Sequence, residues 1–324
     1  MTSTALALAT PTASLAALAP ELASARSYAA ASRAENTRRA YAADMDAFAS
    51  WCSAKGRTSL PADGPTVALY LAYMADEGLS VATIGRALVA INQAHKVAGL
   101  EAPRAHRAVR ETFAGIRRTL GTVQKGKAPM MPEAIRSAAA AGRDDVLGAR
   151  DRAVLAVGFA GGFRRSEIVS LDVSDLDFRT EGLVITLRRS KTDQEGAGRR
   201  VALPYGSNPD TCPVRVLRAW LDTAGITSGP VFRAVDRHGN VSPERLSDRS
   251  VANIVKAAAE RAGLDAASYS GHSLRAGLAT AAAKAGKSER AIMRQTGHKS
   301  ERMVRRYIRD ASMFDDNAAG GIGL

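Results

Sequence analysis

Cysteine is nearly absent: Cys52 and Cys212 stand far apart, with no second cysteine or histidine at metal-ligand spacing near either. That excludes a disulfide framework and a cysteine-based zinc site, and it suits a reducing cytoplasm. No uninterrupted apolar stretch is long enough to span a bilayer. The first twenty residues are rich in Ala, Leu and Thr, but no Lys or Arg precedes them and Pro11 breaks the run, so a secretory signal is not expected. A phosphate-cradling glycine loop is missing as well. Gly161-Gly162 lack the accompanying lysine and suit a tight turn instead.

What the chain has in excess is positive charge: 45 Lys and Arg against 32 Asp and Glu, a formal +13. Residues 1–127 hold 15 basic against 9 acidic side chains, and the remainder holds 30 against 23. Two basic halves suit a protein that grips a polyanion from both sides, and the partner implied is nucleic acid. A basic chain can also be merely soluble, so motifs must decide. At 324 residues the length allows two domains, each with its own core.

Hydrophobic periodicity divides the chain. Tyr41, Met45, Phe48 and Trp51 or Cys52 recur at helical spacing between Asn36 and Lys55, with Asn36 or Thr37 as the cap. Pro65 opens a second helix that stops near Gly78; Ser80 caps a third, ending by Gly99; Val109, Phe113, Ile116 and Leu120 mark a fourth. On that fourth helix Arg107, Arg110, Arg117 and Arg118 lie off the apolar stripe, facing solvent or a phosphate backbone. The expected division is a mobile tail over 1–25, a helical DNA-binding domain over 26–120, a linker over 121–131 and a second domain over 132–324. In the second domain Pro132 opens a helix and residues 150–160 form an apolar one. The period then alternates at Leu183–Leu187 and again at Arg200–Leu203, a hairpin whose loop holds Lys191. Helices dominate after Cys212, with caps at Ser247, Ser273 and Ser288.

Breaking a phosphodiester without metal needs a nucleophile, cations for the phosphorane and an acid for the departing oxygen. The stretch GGFRRSEIVSL offers Arg164 and Glu167; HSLR places His272 and Arg275 one helical turn apart; GHKS brings His298, and RRYIR brings Tyr307. Singly each has a bland reading: an ion pair on a helix, a structural histidine, a packed tyrosine. Their order along one chain is what carries weight.

That order resembles the tyrosine recombinase (phage integrase) family, and most of all its Cre branch. The likeness runs over roughly residues 30–315 and includes Trp51-Cys52, the Tyr70 to Gly78 helix end, Gly271-His272-Ser273 and Tyr307-Ile308-Arg309. The resemblance implies a mainly α, two-domain C-shaped DNA clamp. An N-terminal SAM-like helical core-binding bundle would precede an α-rich catalytic domain with a small antiparallel sheet. It also implies a site-specific recombinase acting through a 3′-phosphotyrosyl intermediate with a 5′-hydroxyl leaving group and a Holliday junction. No cofactor or metal is expected, because the bond energy is kept in the protein–DNA ester.

The implied roles run as follows. Tyr307 is the nucleophile, Arg164 and Arg275 bind non-bridging phosphate oxygens, and Lys191 protonates the leaving oxygen. His272 is the acid/base partner, His298 hydrogen-bonds the phosphate, and Glu167 orients the arginines. The implied partner is double-stranded DNA with inverted-repeat half-sites, bound by a homotetramer that is a monomer or weak oligomer without DNA. A short helix over Ser312–Ala318 would dock on a neighbouring protomer. No membrane is involved, and a bacterial, phage or plasmid cytoplasmic setting follows. Arg165, standing where the family keeps an aliphatic residue, leaves an ambiguity of register, and Tyr269 is a rival nucleophile outside the family's order. A type IB topoisomerase and a catalytically silent DNA-binding relative are the competing readings.

Overall fold

The computed structural model describes residues 19–31, 34–122, 126–188 and 198–311. The chain separates into two compact units, Met1–Gln124 and Lys125–Leu324. Among the described residues no helix is long and apolar enough to cross a membrane.

Unit 1 is all helix in its described part: α1 (Ala19–Ala31), α2 (Glu35–Ala54), α3 (Gly64–Asp76), α4 (Val81–Val97) and α5 (Arg107–Leu120). Phe48, Val67, Leu71, Ile84, Ile91 and Val109 are fully buried and form one core. Asp44 ties α2 to α4 by accepting from Arg86 Nε and Nη2 at 2.8 and 3.0 Å. Asp63 caps α3 by accepting from the Thr66 amide at 2.7 Å, and Ser80 caps α4 by accepting from that of Thr83 at 3.2 Å.

Two expectations for this unit need correction. The tail over 1–25 is too long, because α1 already begins at Ala19; its alanines are the strongest helix formers and Pro20 fits the first turn. Nor do Asn36 and Thr37 cap α2, which begins at Glu35 after Ala34. The Asn36 amide oxygen instead accepts from Arg39 at 2.5 Å.

Unit 2 runs α6 (Pro132–Ala140), α7 (Val146–Ala160), α8 (Arg165–Ser170), β1 (Leu176–Phe178), β2 (Gly182–Leu187) and β3 (Arg199–Pro204). It continues with α9 (Pro213–Thr223), β4 (Arg233–Val235), β5 (Val241–Arg245), α10 (Asp248–Arg261), α11 (His272–Lys284), α12 (Glu289–Thr296) and α13 (Glu301–Ala311). Strands β1, β2 and β3 make an antiparallel sheet in that order, with Leu183 opposite Leu203, Ile185 opposite Val201 and Leu187 opposite Arg199. The period-2 alternation turns Val201 and Leu203 into the core and leaves Arg200 outside. A core of Phe163, Ile168, Trp220, Phe232 and Leu274 fills the space between sheet and helices. Trp220 satisfies its indole N–H on the Val231 carbonyl at 2.8 Å.

Ser247 and Ser288 cap α10 and α12 as expected. Ser273 does not cap a helix. It lies in the first turn of α11, after Gly271 at the cap position, and its hydroxyl accepts from the Ser270 amide at 3.0 Å. The helix therefore starts at His272, which places that residue at the helix N-terminus.

The second half of the expected linker belongs to unit 2. The Ala128 amide donates to the Ser268 carbonyl at 2.8 Å, the Met130 amide to the Ser273 carbonyl at 2.9 Å, and Met130 is fully buried. Gly277 allows this approach: a Cβ there would lie 2.0 Å from the Met130 carbonyl oxygen. Gly277→Ala should therefore cost unit 2 about 1–3 kcal/mol through overpacking. Urea unfolding read by Trp220 fluorescence, in a Trp51→Phe background, measures this; an unchanged midpoint would show that residues 128–130 and α11 are not in contact.

Candidate active site

The site is assembled where two chain reversals, at Gly162 and at Gly297, meet near the end of α12. Helix α7 stops at Gly161-Gly162, and Gly162 takes a left-handed φ of +58°. Its carbonyl accepts from Arg275 Nη1 at 2.7 Å. Two residues on, Arg164 stands at the cap position before α8, and Glu167 answers it twice: Oε2 accepts from the Arg164 amide at 2.9 Å and Oε1 from Nη1 at 2.5 Å. A carboxylate three residues into a helix thus satisfies a free N-terminal amide and holds the preceding guanidinium with one side chain.

Arg275 sits one turn into α11 and is 1% exposed. Nη1 also donates to the Thr296 carbonyl at the end of α12. Its Nη2 has no hydrogen-bond partner among the described residues. Burial, followed by the nearby Arg164 charge, pulls the guanidinium down to about 10, so it keeps its charge at neutral pH.

Tyr307 reaches the site from α13. Val304 is fully buried beside Ala279 and Ile292, with Tyr307 and Ile308 packed on that cluster, the i, i+3, i+4 stripe of an amphipathic helix. Tyr307 Oη lies 3.1 Å from His272 Nε2. Part of the His272 ring reaches solvent, yet burial of its surroundings, then Arg275 and Arg164, lower its pKa below the usual histidine range.

Gly297 ends α12 with a φ of +68° and turns the chain so that His298 faces back toward this cluster. The His298 ring centroid is 6.1 Å from that of Tyr307, and Nδ1 is 2.7 Å from Thr296 Oγ1. Burial first, then Arg275, Arg164, His272 and Arg199, push its pKa down to about 3. The imidazole is neutral throughout the physiological range.

The arrangement is a nucleophile-class hydroxyl beside a neutral base, facing buried guanidinium groups with one carboxylate among them. Among the described residues no group of three or more His, Cys, Asp or Glu could hold a metal ion.

Residues 129–313, more than half of the chain, match the Phage integrase family, and residues 22–101 match the Phage integrase N-terminal SAM-like domain. The chain belongs to the phage integrase family. It is a tyrosine recombinase, an enzyme of the site-specific recombinase and integrase class. The chain is 43% identical over 291 residues to the integrase/recombinase xerD homolog of Selenomonas ruminantium, covering 89% of this chain and 85% of that one. Recombinase Cre of Escherichia phage P1 is 29% identical over 284 residues, 81% of this chain and 80% of Cre, so Cre is the more distant of the two. Two solved structures share the fold. A XerH recombinase matches with a TM-score of 0.56 and 19% identity over 78% of this chain and 69% of that one. A lambda integrase matches with a TM-score of 0.54 and 17% identity over 86% and 90%.

Of the site residues expected in the recombinase, the structure brings together Arg164, Glu167, His272, Arg275, His298 and Tyr307. Lys191 lies outside the described residues. The geometry also separates Arg164 from its neighbour: Arg165 is 44% exposed, lies 3.6 Å from Asp248 and packs on Gly271, where a Cβ would stand 2.1 Å from its Cγ.

Sequence reasoning missed Arg199 and Thr296. Arg199 Nη1 donates to the Gln295 carbonyl at 2.8 Å and Nη2 to that of Thr296 at 3.3 Å, with Nη2 3.7 Å from Glu167. It thereby satisfies carbonyls at the α12 C-terminus, where the helix dipole favours a cation. Burial lowers its pKa. The signal was available in β3, since alternation inward at Leu203 and Val201 carries Arg199 inward too. Thr296 gave no signal.

The His298 shift has a sign that can be checked. Its unfolded value is near ~6.5, so below that pH the unfolded chain binds a proton that the folded site refuses. The stability it contributes is whole above about pH 6.5 and is lost as pH falls toward about 3. DNA-free recombinase should lose Tm on going from pH 7 to pH 4, and His298→Gln should flatten part of that slope. Superimposable pH profiles of the two proteins would contradict the assignment.

Proposed function

We propose that this recombinase cuts and rejoins double-stranded DNA through a covalent phosphate ester on Tyr307. The observation that carries the reading is the Tyr307 Oη to His272 Nε2 contact at 3.1 Å beside a buried Arg275 whose Nη2 has no partner among the described residues. A buried guanidinium N–H without a partner is costly, and an anionic phosphate oxygen is the group that would repay it.

Tyr307 Oη attacks the scissile phosphorus and its proton passes to His272, whose lowered pKa leaves Nε2 free to accept it. Arg164 and Arg275 hold the non-bridging oxygens as charge builds on them, and His298 adds a hydrogen bond. The bond from phosphorus to the 5′ oxygen breaks, Lys191 supplies that oxygen's proton, and the DNA is left as a 3′-phosphotyrosyl ester. Attack by a 5′ hydroxyl from the other duplex reverses each step and releases Tyr307. Two such exchanges pass through a Holliday junction.

Inverted-repeat half-sites and a homotetramer on DNA complete the proposal, with a monomer or weak oligomer in its absence. The XerH structure is of a complex with a palindromic difH substrate after cleavage, and that of lambda integrase is of a dimer on a core site. On α5 the exposed Arg110, Arg117 and Arg118 offer phosphate contacts that would make binding salt-dependent. In unit 2 a cleft of about 590 Å³, lined by Ile135, Phe159, Leu278 and Ile292, carries Lys287 and Arg294. The chain beyond Ala311 reads Ser-Met-Phe-Asp-Asp, two apolar residues followed by two acids. That segment from a second copy suits the cleft in both polarity and charge.

A nicked suicide substrate, which loses its 5′ fragment after cleavage, tests the chemistry. Wild type should accumulate a covalent adduct and Tyr307→Phe none. Arg164→Ala and Arg275→Ala should each slow it by about 30- to 5,000-fold, equivalent to roughly 2–5 kcal/mol. Lys191→Ala should be rescued when the leaving oxygen is replaced by sulfur, which departs without an acid. An adduct that survives Tyr307→Phe would sink the assignment. Truncation after Ala311 should leave half-site binding in place and abolish tetramer assembly on paired sites, as read by sedimentation; tetramers of the truncated chain would exclude the docking.

A further inference from the structure

Thr296 is fully buried at the last position of α12, and both its carbonyl and its hydroxyl meet groups of the site. Its carbonyl accepts from Arg275 and from Arg199. Its hydroxyl lies 2.7 Å from the Ile292 carbonyl and 2.7 Å from His298 Nδ1. One hydroxyl has a single proton and two neighbours able to take it. When the hydroxyl donates to the Ile292 carbonyl, its oxygen accepts from Nδ1–H and His298 Nε2 is a bare lone pair. When the hydroxyl donates to a bare Nδ1, the neutral imidazole must carry its own proton on Nε2.

The distinction decides what His298 can do. A phosphate oxygen is an acceptor, so only an N–H can meet it. An imidazolium would offer N–H groups on both nitrogens, but in the DNA-free site burial and the surrounding arginines hold His298 neutral down to about pH 3. A neutral ring has one N–H, and the partner of the other nitrogen decides where it sits.

We infer that Thr296 is a positioning residue whose hydroxyl donates to His298 Nδ1 when DNA is bound, presenting Nε2–H to the scissile phosphate as a neutral hydrogen-bond donor. The rotation costs little. The Ile292 carbonyl keeps its place in the helix, while Thr296 Cγ2 stays packed at Gly162, where a Cβ would lie 2.9 Å from it. The inference rests on the phosphate chemistry proposed above and adds to it a group that touches no substrate atom.

Thr296→Val keeps the shape and the packed methyl and removes only the hydroxyl; Thr296→Ser keeps the hydroxyl. On the suicide substrate, Thr296→Val should slow adduct formation by about tenfold or more, in the range expected for a positioned proton or hydrogen-bond partner. Thr296→Ser should recover to within about threefold of wild type on the same scale. In a His298→Gln background the valine substitution should cost nothing further, since the group it positions is gone. The 15N shifts of His298 in the Tyr307→Phe protein bound to DNA should show Nε2 protonated and Nδ1 bare and hydrogen-bonded.

A wild-type rate for Thr296→Val, an equal loss in the His298→Gln background, or a protonated Nδ1 in the DNA complex would each overturn the inference. If wild type formed no adduct, the proposed chemistry would fall by itself. The tautomer of His298 would still be read from the DNA complex and would decide the role of Thr296 separately.

Discussion

Burying positive charge is the constraint from which the rest of unit 2 follows. Arg275 is almost wholly enclosed, Arg164 and Arg199 stand close enough to perturb it, and a single buried carboxylate, Glu167, faces all three. A guanidinium removed from water costs several kcal/mol unless its donors are met. Here backbone carbonyls meet Nη1 of Arg275 and both Nη groups of Arg199, while Nη2 of Arg275 is left without a partner among the described residues. The carbonyls of Gly162, Gln295 and Thr296 are ends of helices or turns, groups left without a helical partner, and they point at the arginines. One carboxylate is too few to neutralise the cluster. The surplus positive charge attracts an anion, and, after burial as the larger cause, the arginines also lower the pKa values of His272 and His298.

That constraint explains the glycines around the site. Gly162 and Gly297 both take left-handed φ, and at both a side chain would collide: at Gly162 with Leu278 and Thr296, at Gly297 with Arg199. Sharp reversals at these points deliver a carbonyl from one helix end and His298 from the next turn into the same few ångströms. From a third helix Arg275 reaches the carbonyls of Gly162 and Thr296. The hydroxyl of Tyr307 is placed by packing instead: α13 lays Val304, Tyr307 and Ile308 on α11 and α12, and the polar end of the tyrosine emerges beside His272.

Much of this was legible in the chain. The helices of unit 1 announced themselves by 3.6-residue periodicity and by Pro65, Ser80 and glycine punctuation, and β2 and β3 by alternation. The residues Arg164, His272, Arg275, His298 and Tyr307 could be read because, bland singly, they stand in an order that chance rarely arranges. What escaped were features that depend on contacts rather than pattern. Strand β1 is three residues long and exists because β2 pairs with it. Helix α11 begins before Ser273 because that hydroxyl turns back to Ser270. Thr296 is one more threonine at a helix end until the fold sets His298 on one side of its hydroxyl and two arginines on its carbonyl.

The docking of Ala128–Met130 on α11 has a mechanical meaning. The backbone of this segment is hydrogen-bonded to Ser268 and Ser273, and Gly277 lets it lie flush against the same helix that carries His272 and Arg275. Residues 128–130 are therefore bound along the helix that carries two of the clustered side chains, so that a displacement of this segment pulls on the backbone at Ser273, one residue from His272 and two from Arg275.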